Sequence, residues 1–372
     1  MQFDEYRQHD AVGLAERVAK GEISAGELLE TALERMAQVN PALNAVTLDL
    51  AEFGRREAAA KPSGPLAGVP YLLKDLGALL EGTVTSSGSA LLKDNVAAAD
   101  SALTTAYREA GLVIFGKTNT PEFGLMPITE SSFLGPCRNP WDVSRTPGGS
   151  SGGAASAVAA GIVPAAHASD GGGSIRTPAS ACGLFGMKPS RGRVSFAPLG
   201  EGWGGASIQH AVTRSVRDSA VLLDIACQPQ VGDPYFLAAP SRPYAQEVGR
   251  APGSLRIGFT TAALASGALD PECAAAVLDA AKLCADVGHT VEEVTLPGDL
   301  AAMQQAAGDV IAASVAATFD AEAERRGRPV TEDDVEMLTW GMYRRGTGGS
   351  GASYVRGLAA IHAYGRAVAA LF

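Results

Sequence analysis

The chain has 372 residues, 46% of them hydrophobic, enough to fill the core of one large or two ordinary domains. A formal charge of -10 without any basic run argues against a phosphate-binding surface, because nucleic-acid affinity rests on clustered Lys and Arg. The polar start from Met1 to Asp10 lacks the pattern of a secretory signal, and no apolar window approaches the length of a membrane span. Cys137, Cys182, Cys227, Cys273 and Cys284 are far apart and read as small hydrophobes in a reducing compartment, so a cytoplasmic enzyme is expected, with neither nucleic acid nor membrane as partner.

From Asp10 to Asn40 apolar residues recur at helical spacing, Ser24 and Glu27 suggest a capping box, and Pro41 is expected to end the second helix. An apolar run at 45–50 precedes a further helix, and Lys61–Pro65 reads as a loop. Val69–Leu73 and Gly111–Gly116 read as buried strands separated by the helix Ser101–Ala110. A small-residue helix at Ala154–Ala160 and an apolar run at Ile162–Ala166 lead into a glycine loop. Leu255–Phe259, Glu272–Val287 and Thr290–Val294 repeat the strand–helix–strand alternation, and Tyr354–Phe372 has the pattern of an amphipathic helix. The fold class is therefore α/β, with a largely parallel or mixed sheet.

Chemistry concentrates in two clusters, Thr146-Pro-Gly-Gly-Ser-Ser-Gly-Gly153 and Ser169-Asp-Gly-Gly-Gly-Ser-Ile-Arg-Thr-Pro178. Three readings are open: a flexible linker, a phosphate loop, or an oxyanion hole beside a nucleophilic Ser174. Strand-like flanks weaken the first, and neither cluster has the order of a P-loop or a dinucleotide fingerprint. The third demands a base. His9, His167, His210, His289 and His362 are scattered, and His167 sits in an apolar run that suits a structural residue. Lys74 ends the hydrophobic segment Gly68-Val-Pro-Tyr-Leu-Leu-Lys-Asp75, where burial would favour the neutral amine.

These segments, with Gly116-Lys-Thr-Asn-Thr-Pro-Glu-Phe-Gly124, Cys182-Gly-Leu-Phe-Gly-Met-Lys-Pro-Ser-Arg-Gly-Arg-Val194 and Thr213-Arg-Ser-Val-Arg-Asp218, occur in an order that resembles the amidase signature family over about residues 64–220. The resemblance implies an amidase signature fold, a mixed central sheet surrounded by helices, forming a single domain over 1–372 that lacks part of its C-terminal region. It implies a catalytic triad of Lys74, Ser150 and Ser174, with a cis peptide before Ser150. Ser174 is the implied nucleophile, and Gly171, Gly172, Gly173 and Ser174 supply oxyanion-hole N–H groups. Asp170, Arg176 and Ser151 are expected to support the loops, and Asn119 and Glu122 to order segments near the site.

The implied reaction is hydrolysis of a linear or cyclic carboxamide through an acyl-enzyme, aminohexanoate oligomers among the candidates. No cofactor or metal is expected, since no histidine or carboxylate pattern supplies ligands, and a homodimer is left open. The alternative is a non-catalytic or transamidating subunit of an amidotransferase-type complex. Thr177 and Thr120-Pro121 stand where such subunits usually carry Gln and Met-Asp, which favours the stand-alone amidase. The segment Gly200-Glu-Gly-Trp-Gly-Gly-Ala-Ser207 reads either as a substrate-side loop or as a surface turn.

Overall fold

The helices at the start of the chain match the apolar spacing. Asp10 caps Ala11–Ala19 by accepting from Gly13 N–H, and Ser24 and Glu27 form the capping box of Ala25–Leu43, each cap contributing about 1 kcal/mol. Leu28, Leu29 and Ala32 place one face of the second helix in the core. Contrary to expectation, Pro41 lies inside this helix, which stops at Asn44 with φ of 48°. Proline loses its own N–H bond and crowds the carbonyl four residues back, but only two helical residues follow it, and Asn44 N–H still completes the last turn on Asn40 O. The Asn40 side chain then accepts from Ala45 and Val46 N–H at 2.8 and 2.9 Å, steering the chain into the first strand.

The computed structural model describes residues 1–262 and 268–372, which divide into two compact units. The first, Met1–Val248 with Pro329–Trp340, is built on a six-stranded sheet. Its strands are β1 (Val46–Asp49), β2 (Pro70–Lys74), β3 (Val113–Thr118), β4 (Ala165–Asp170), β5 (Phe185–Gly186) and β6 (Ile208–Thr213). Their spatial order is β1-β3-β2-β4-β6-β5. The central β3, β2 and β4 run parallel, while β1, β6 and β5 pair antiparallel, so the sheet is mixed.

Strands β2, β3, β4 and β6 are buried at every residue, as expected of strands covered on both faces. Gly54 lets the helix Ala51–Ala59 lie against β3, since a Cβ there would fall 2.7 Å from that of Phe115. The helix Gly152–Ala159 packs by the same device at Gly153, where a Cβ would meet Asn119 N at 2.3 Å.

The second unit comprises Gly249–Arg328 and Gly341–Phe372. Strands Arg256–Phe259 and Thr290–Glu293 pair in parallel, linked through the helix Pro271–Asp286. The long helix Leu300–Arg326 packs along Gly351–Ala369, its buried stripe running through Ala306, Val310 and Phe319.

Candidate active site

Parallel strands end on the same edge of a sheet, and open α/β sheets carry their chemistry beyond those C-terminal ends. Here β2 ends in Lys74 and β4 in Asp170, so two residues nearly a hundred positions apart share one edge. Lys74 is fully buried, and its Nζ donates to Ser150 Oγ at 2.8 Å and to Ser169 Oγ at 3.0 Å. Burial pulls its pKa down to about 7, with the Asp170 charge opposing. An amine with a substantial neutral fraction at that pH can take a proton from a hydroxyl within hydrogen-bond reach.

Ser150 comes after a cis peptide bond to Gly149 and is 2% exposed. The backbone around it has no room for side chains: a Cβ on Gly149 would sit 2.7 Å from the Ile128 carbonyl group. These glycines permit close approach, which removes the linker reading of the first cluster. Ser151 holds the two clusters together. Its N–H donates to Ser174 O at 3.2 Å, its hydroxyl donates to Ser169 O at 3.2 Å, and it accepts from Ser169 N–H at 3.3 Å.

Ser174 lies half-buried in the loop between β4 and the helix Arg176–Cys182. Its backbone is tied to Ser151, whereas its hydroxyl has no hydrogen-bond partner among the described residues. The structure thus forms the Lys74–Ser150 contact and brings Ser174 alongside through the neighbouring residue.

Asp170 organises this loop from beneath. It accepts from Gly173 N–H at 2.7 Å and Ile175 N–H at 3.2 Å, and Arg176 grips both of its oxygens at 2.9 Å. Burial works to raise the Asp170 pKa, but the Arg176 guanidinium and the loop amides hold it below the ordinary carboxylate value. Gly173, with φ of 127°, therefore points its N–H at Asp170, away from the role of an anion donor. The N–H groups of Gly171, Gly172 and Ser174 have no acceptor among the described residues.

His167 is fully buried and serves Lys74 structurally: its Nδ1 accepts from Lys74 N–H at 3.2 Å, while Nε2 faces Gln209 Oε1 at 3.0 Å. Burial and the neighbouring lysine drive its pKa to about 3, leaving it neutral. Asn119 donates to Asn44 O and Gly135 O, and Glu122 accepts from Ser89 Oγ at 2.6 Å and Glu336 N–H at 2.8 Å. The 200–207 loop places the Trp203 ring against Gly171, so it flanks the Ser174 loop.

Ser169 and Thr120 escape sequence reasoning as site residues, although both lie inside the glycine-serine and Lys-Thr-Asn motifs. Ser169 touches Lys74, and Thr120 Oγ1 donates to Ser150 O at 3.0 Å. Among the described residues, no group of three His, Cys, Asp or Glu is placed to hold a metal ion, and no helix is long and apolar enough to cross a membrane.

A buried lysine hydrogen-bonded to a serine lies beside a glycine loop at the edge of a mixed α/β sheet, and similarity to known proteins gives the class, a hydrolase of amide bonds. The Amidase family model matches residues 27–350, and the chain belongs to the amidase signature family. It is 43% identical over 351 residues to a 6-aminohexanoate-cyclic-dimer hydrolase of Paenarthrobacter ureafaciens, covering 90% of this chain and 69% of that protein. A solved structure of 6-aminohexanoate cyclic dimer hydrolase complexed with substrate superposes with a TM-score of 0.93 at 41% identity, covering 97% of this chain and 76% of the other. A bacterial aryl acylamidase of the amidase signature family gives a TM-score of 0.88 at 30% identity, covering 96% and 76%.

Proposed function

We propose that the chain hydrolyses a carboxamide through a Lys74–Ser150–Ser174 relay. Neutral Lys74 accepts the Ser150 hydroxyl proton while Ser150 accepts that of Ser174, whose oxygen attacks the amide carbonyl carbon. The carbonyl π pair moves onto its oxygen, facing the free N–H groups of Gly171, Gly172 and Ser174. As the C–N bond breaks, the proton held by Lys74 returns through Ser150 to the leaving nitrogen. Water then attacks the ester, gives a proton to the relay, and releases the acid and Ser174.

The observation that carries this reading is the fully buried Lys74, 2.8 Å from Ser150 Oγ, with a pKa drawn down to about 7. The substrate is inferred from the relatives: a cyclic or linear amide of the aminohexanoate kind, small enough to reach a half-buried serine. The reading includes one amidase domain acting in the cytoplasm without metal or cofactor. All five cysteines are unpaired, which supports a reducing compartment. Thr177 and Thr120-Pro121 favour hydrolysis over a transamidating subunit.

The test is labelling with a fluorophosphonate, then hydrolysis of the aminohexanoate cyclic dimer. A covalent adduct on Ser174 is expected, absent in Ser174→Ala and slowed in Lys74→Ala. Equal labelling of Ser174→Ala would overturn the assignment of the nucleophile. Labelling without hydrolysis of the cyclic dimer would retain the relay and reject that substrate.

A further inference from the structure

Successive residues of a strand turn their N–H groups to opposite neighbours, so β2 offers Leu72 and then Lys74 to β4. Leu72 pairs with Ala166, and among the described residues the ladder ends there. Continued in register, the Lys74 N–H would meet the main-chain carbonyl of His167. It donates instead to Nδ1 of the side chain of that same residue, at 3.2 Å. On its other side the chain stays joined to β3, through Asp75 N–H donating to Thr118 O at 3.1 Å.

Residues two apart on a strand share a face, so His167 and Ser169 lie side by side on β4. They hold the two ends of one residue: His167 takes the Lys74 main-chain N–H, and Ser169 Oγ takes Nζ at 3.0 Å. On β6, Gln209 stands directly opposite Ser169, which puts its side chain on the same face. Its Oε1 lies 3.0 Å from His167 Nε2. A main-chain N–H can only donate, so Nδ1 carries a lone pair and the single imidazole proton sits on Nε2, donating to Gln209. Gln209 thereby fixes the tautomer that Lys74 requires.

This cluster is closed on its remaining sides. His167 is fully buried and Gln209 is 2% exposed. The Tyr107 ring meets the imidazole edge on, with centroids 6.4 Å apart. Gln209 also backs the turn that follows β2, since a Cβ on Gly77 would lie 3.3 Å from its Oε1. Loss of the acceptor would leave a buried N–H unmet at the residue whose side chain reaches Ser150, and the strand end would be free to shift.

We propose that His167 is a positioning residue for Lys74, with Gln209 as the partner that sets its tautomer: the imidazole replaces the next rung of the β2–β4 ladder and fixes the point from which the lysine side chain reaches Ser150. The inference deepens the relay reading and rests on it. It assigns neither residue a contact with substrate or a proton in the relay.

The experiment follows fluorophosphonate labelling of Ser174 in the full chain against probe concentration, which separates the maximal rate from the half-saturating concentration. His167→Leu removes the acceptor, and a displacement of the amine by about 1 Å is expected to lower the maximal rate on the order of 10- to 100-fold, with the half-saturating concentration kept within about twofold. His167→Asn sets Oδ1 close to where Nδ1 stood and is expected to hold the rate within about fivefold of the parent. Gln209→Leu is expected to lower the rate too, yet to add nothing in the His167→Asn background, where the acceptor no longer depends on a tautomer. A folded His167→Leu protein with the parent's maximal rate overturns the proposal, as does equal loss in the Leu and Asn variants, or a loss confined to the half-saturating concentration. If His167→Leu does not fold, as judged by circular dichroism, Gln209→Leu decides: a rate unmoved in the parent background, or lowered equally in the His167→Asn background, overturns the proposal. Absence of parent labelling at Ser174 would instead overturn the relay, a distinguishable failure.

Discussion

Gly171 lies beneath the indole of Trp203, so close that a Cβ on Gly171 would come within 2.5 Å of ring atom Cε3. Trp203 occupies the left-handed region with φ of 56°, inside a loop that folds on itself through Gly205 and Ser207 N–H groups donating to Gly202 O. The ring therefore backs the segment that carries the free amides of Gly171, Gly172 and Ser174.

Gly171→Ala should displace either the indole or the amide-bearing loop. A shift of about 1 Å in such a loop costs on the order of 100-fold in rate. The expected outcome is a fall in kcat of that order, with partial recovery in the Gly171→Ala, Trp203→Ala double variant. Steady-state kinetics on both variants check it. Equal loss in the single and double variants would show that the clash is not the cause.

The burial of Lys74 makes both activity and stability depend on pH. With its pKa near 7, the rate should rise about tenfold per pH unit on the acid side and level off above neutrality. In the unfolded chain the amine keeps its proton up to about pH 10.4, so unfolding takes up a proton across the interval between the two values. This lysine's contribution to stability thus rises as the pH climbs through that interval. Lys74→Met should abolish labelling of Ser174 yet stabilise the fold near pH 7, by a margin that shrinks towards pH 10. Urea unfolding at the two pH values measures it.

The Asp170–Arg176 pair gives the opposite limb. Asp170 is fully buried, whereas the Arg176 side chain is 54% exposed, so solvent screens part of the attraction. Arg176→Ala should cost about 1–3 kcal/mol, chiefly by leaving a buried carboxylate short of donors. Because the folded pKa of Asp170 lies below its ordinary value, the pair's contribution is complete above about pH 4 and lost as the pH falls through the folded value. Thermal melts should show a gap between parent and variant at pH 7 that narrows near pH 3. Loop amides would carry Asp170 unaided if the two proteins melted alike at pH 7.

Much of the fold was legible because local physics governs it. Ser24 and Glu27 announce a helix start through hydrogen bonds spanning three residues, and the continuous apolar runs of β2 and β3 announce strands buried on both faces. Pro41 misled because a proline near a helix end is tolerated when a neighbour receives the chain, here the Asn40 side chain at the exit from the helix. Ser169 was not legible as a neighbour of the chemistry, because it meets Lys74 across 95 residues of sequence.

The sequence by itself determined the α/β class and the order of the motifs, which rest on residue type and short spacing, and the resemblance of those motifs to the amidase signature family named Lys74, Ser150 and Ser174 as the residues to look for. Tertiary structure alone decided which groups meet. The parallel pairing of β2 with β4 puts Lys74 beside Ser169, and the turn beyond β4 aims Gly173 N–H at Asp170 and leaves three other amides free. Proximity between strand ends is set by sheet order, and buried charge by what packs around it, neither of which a local pattern encodes.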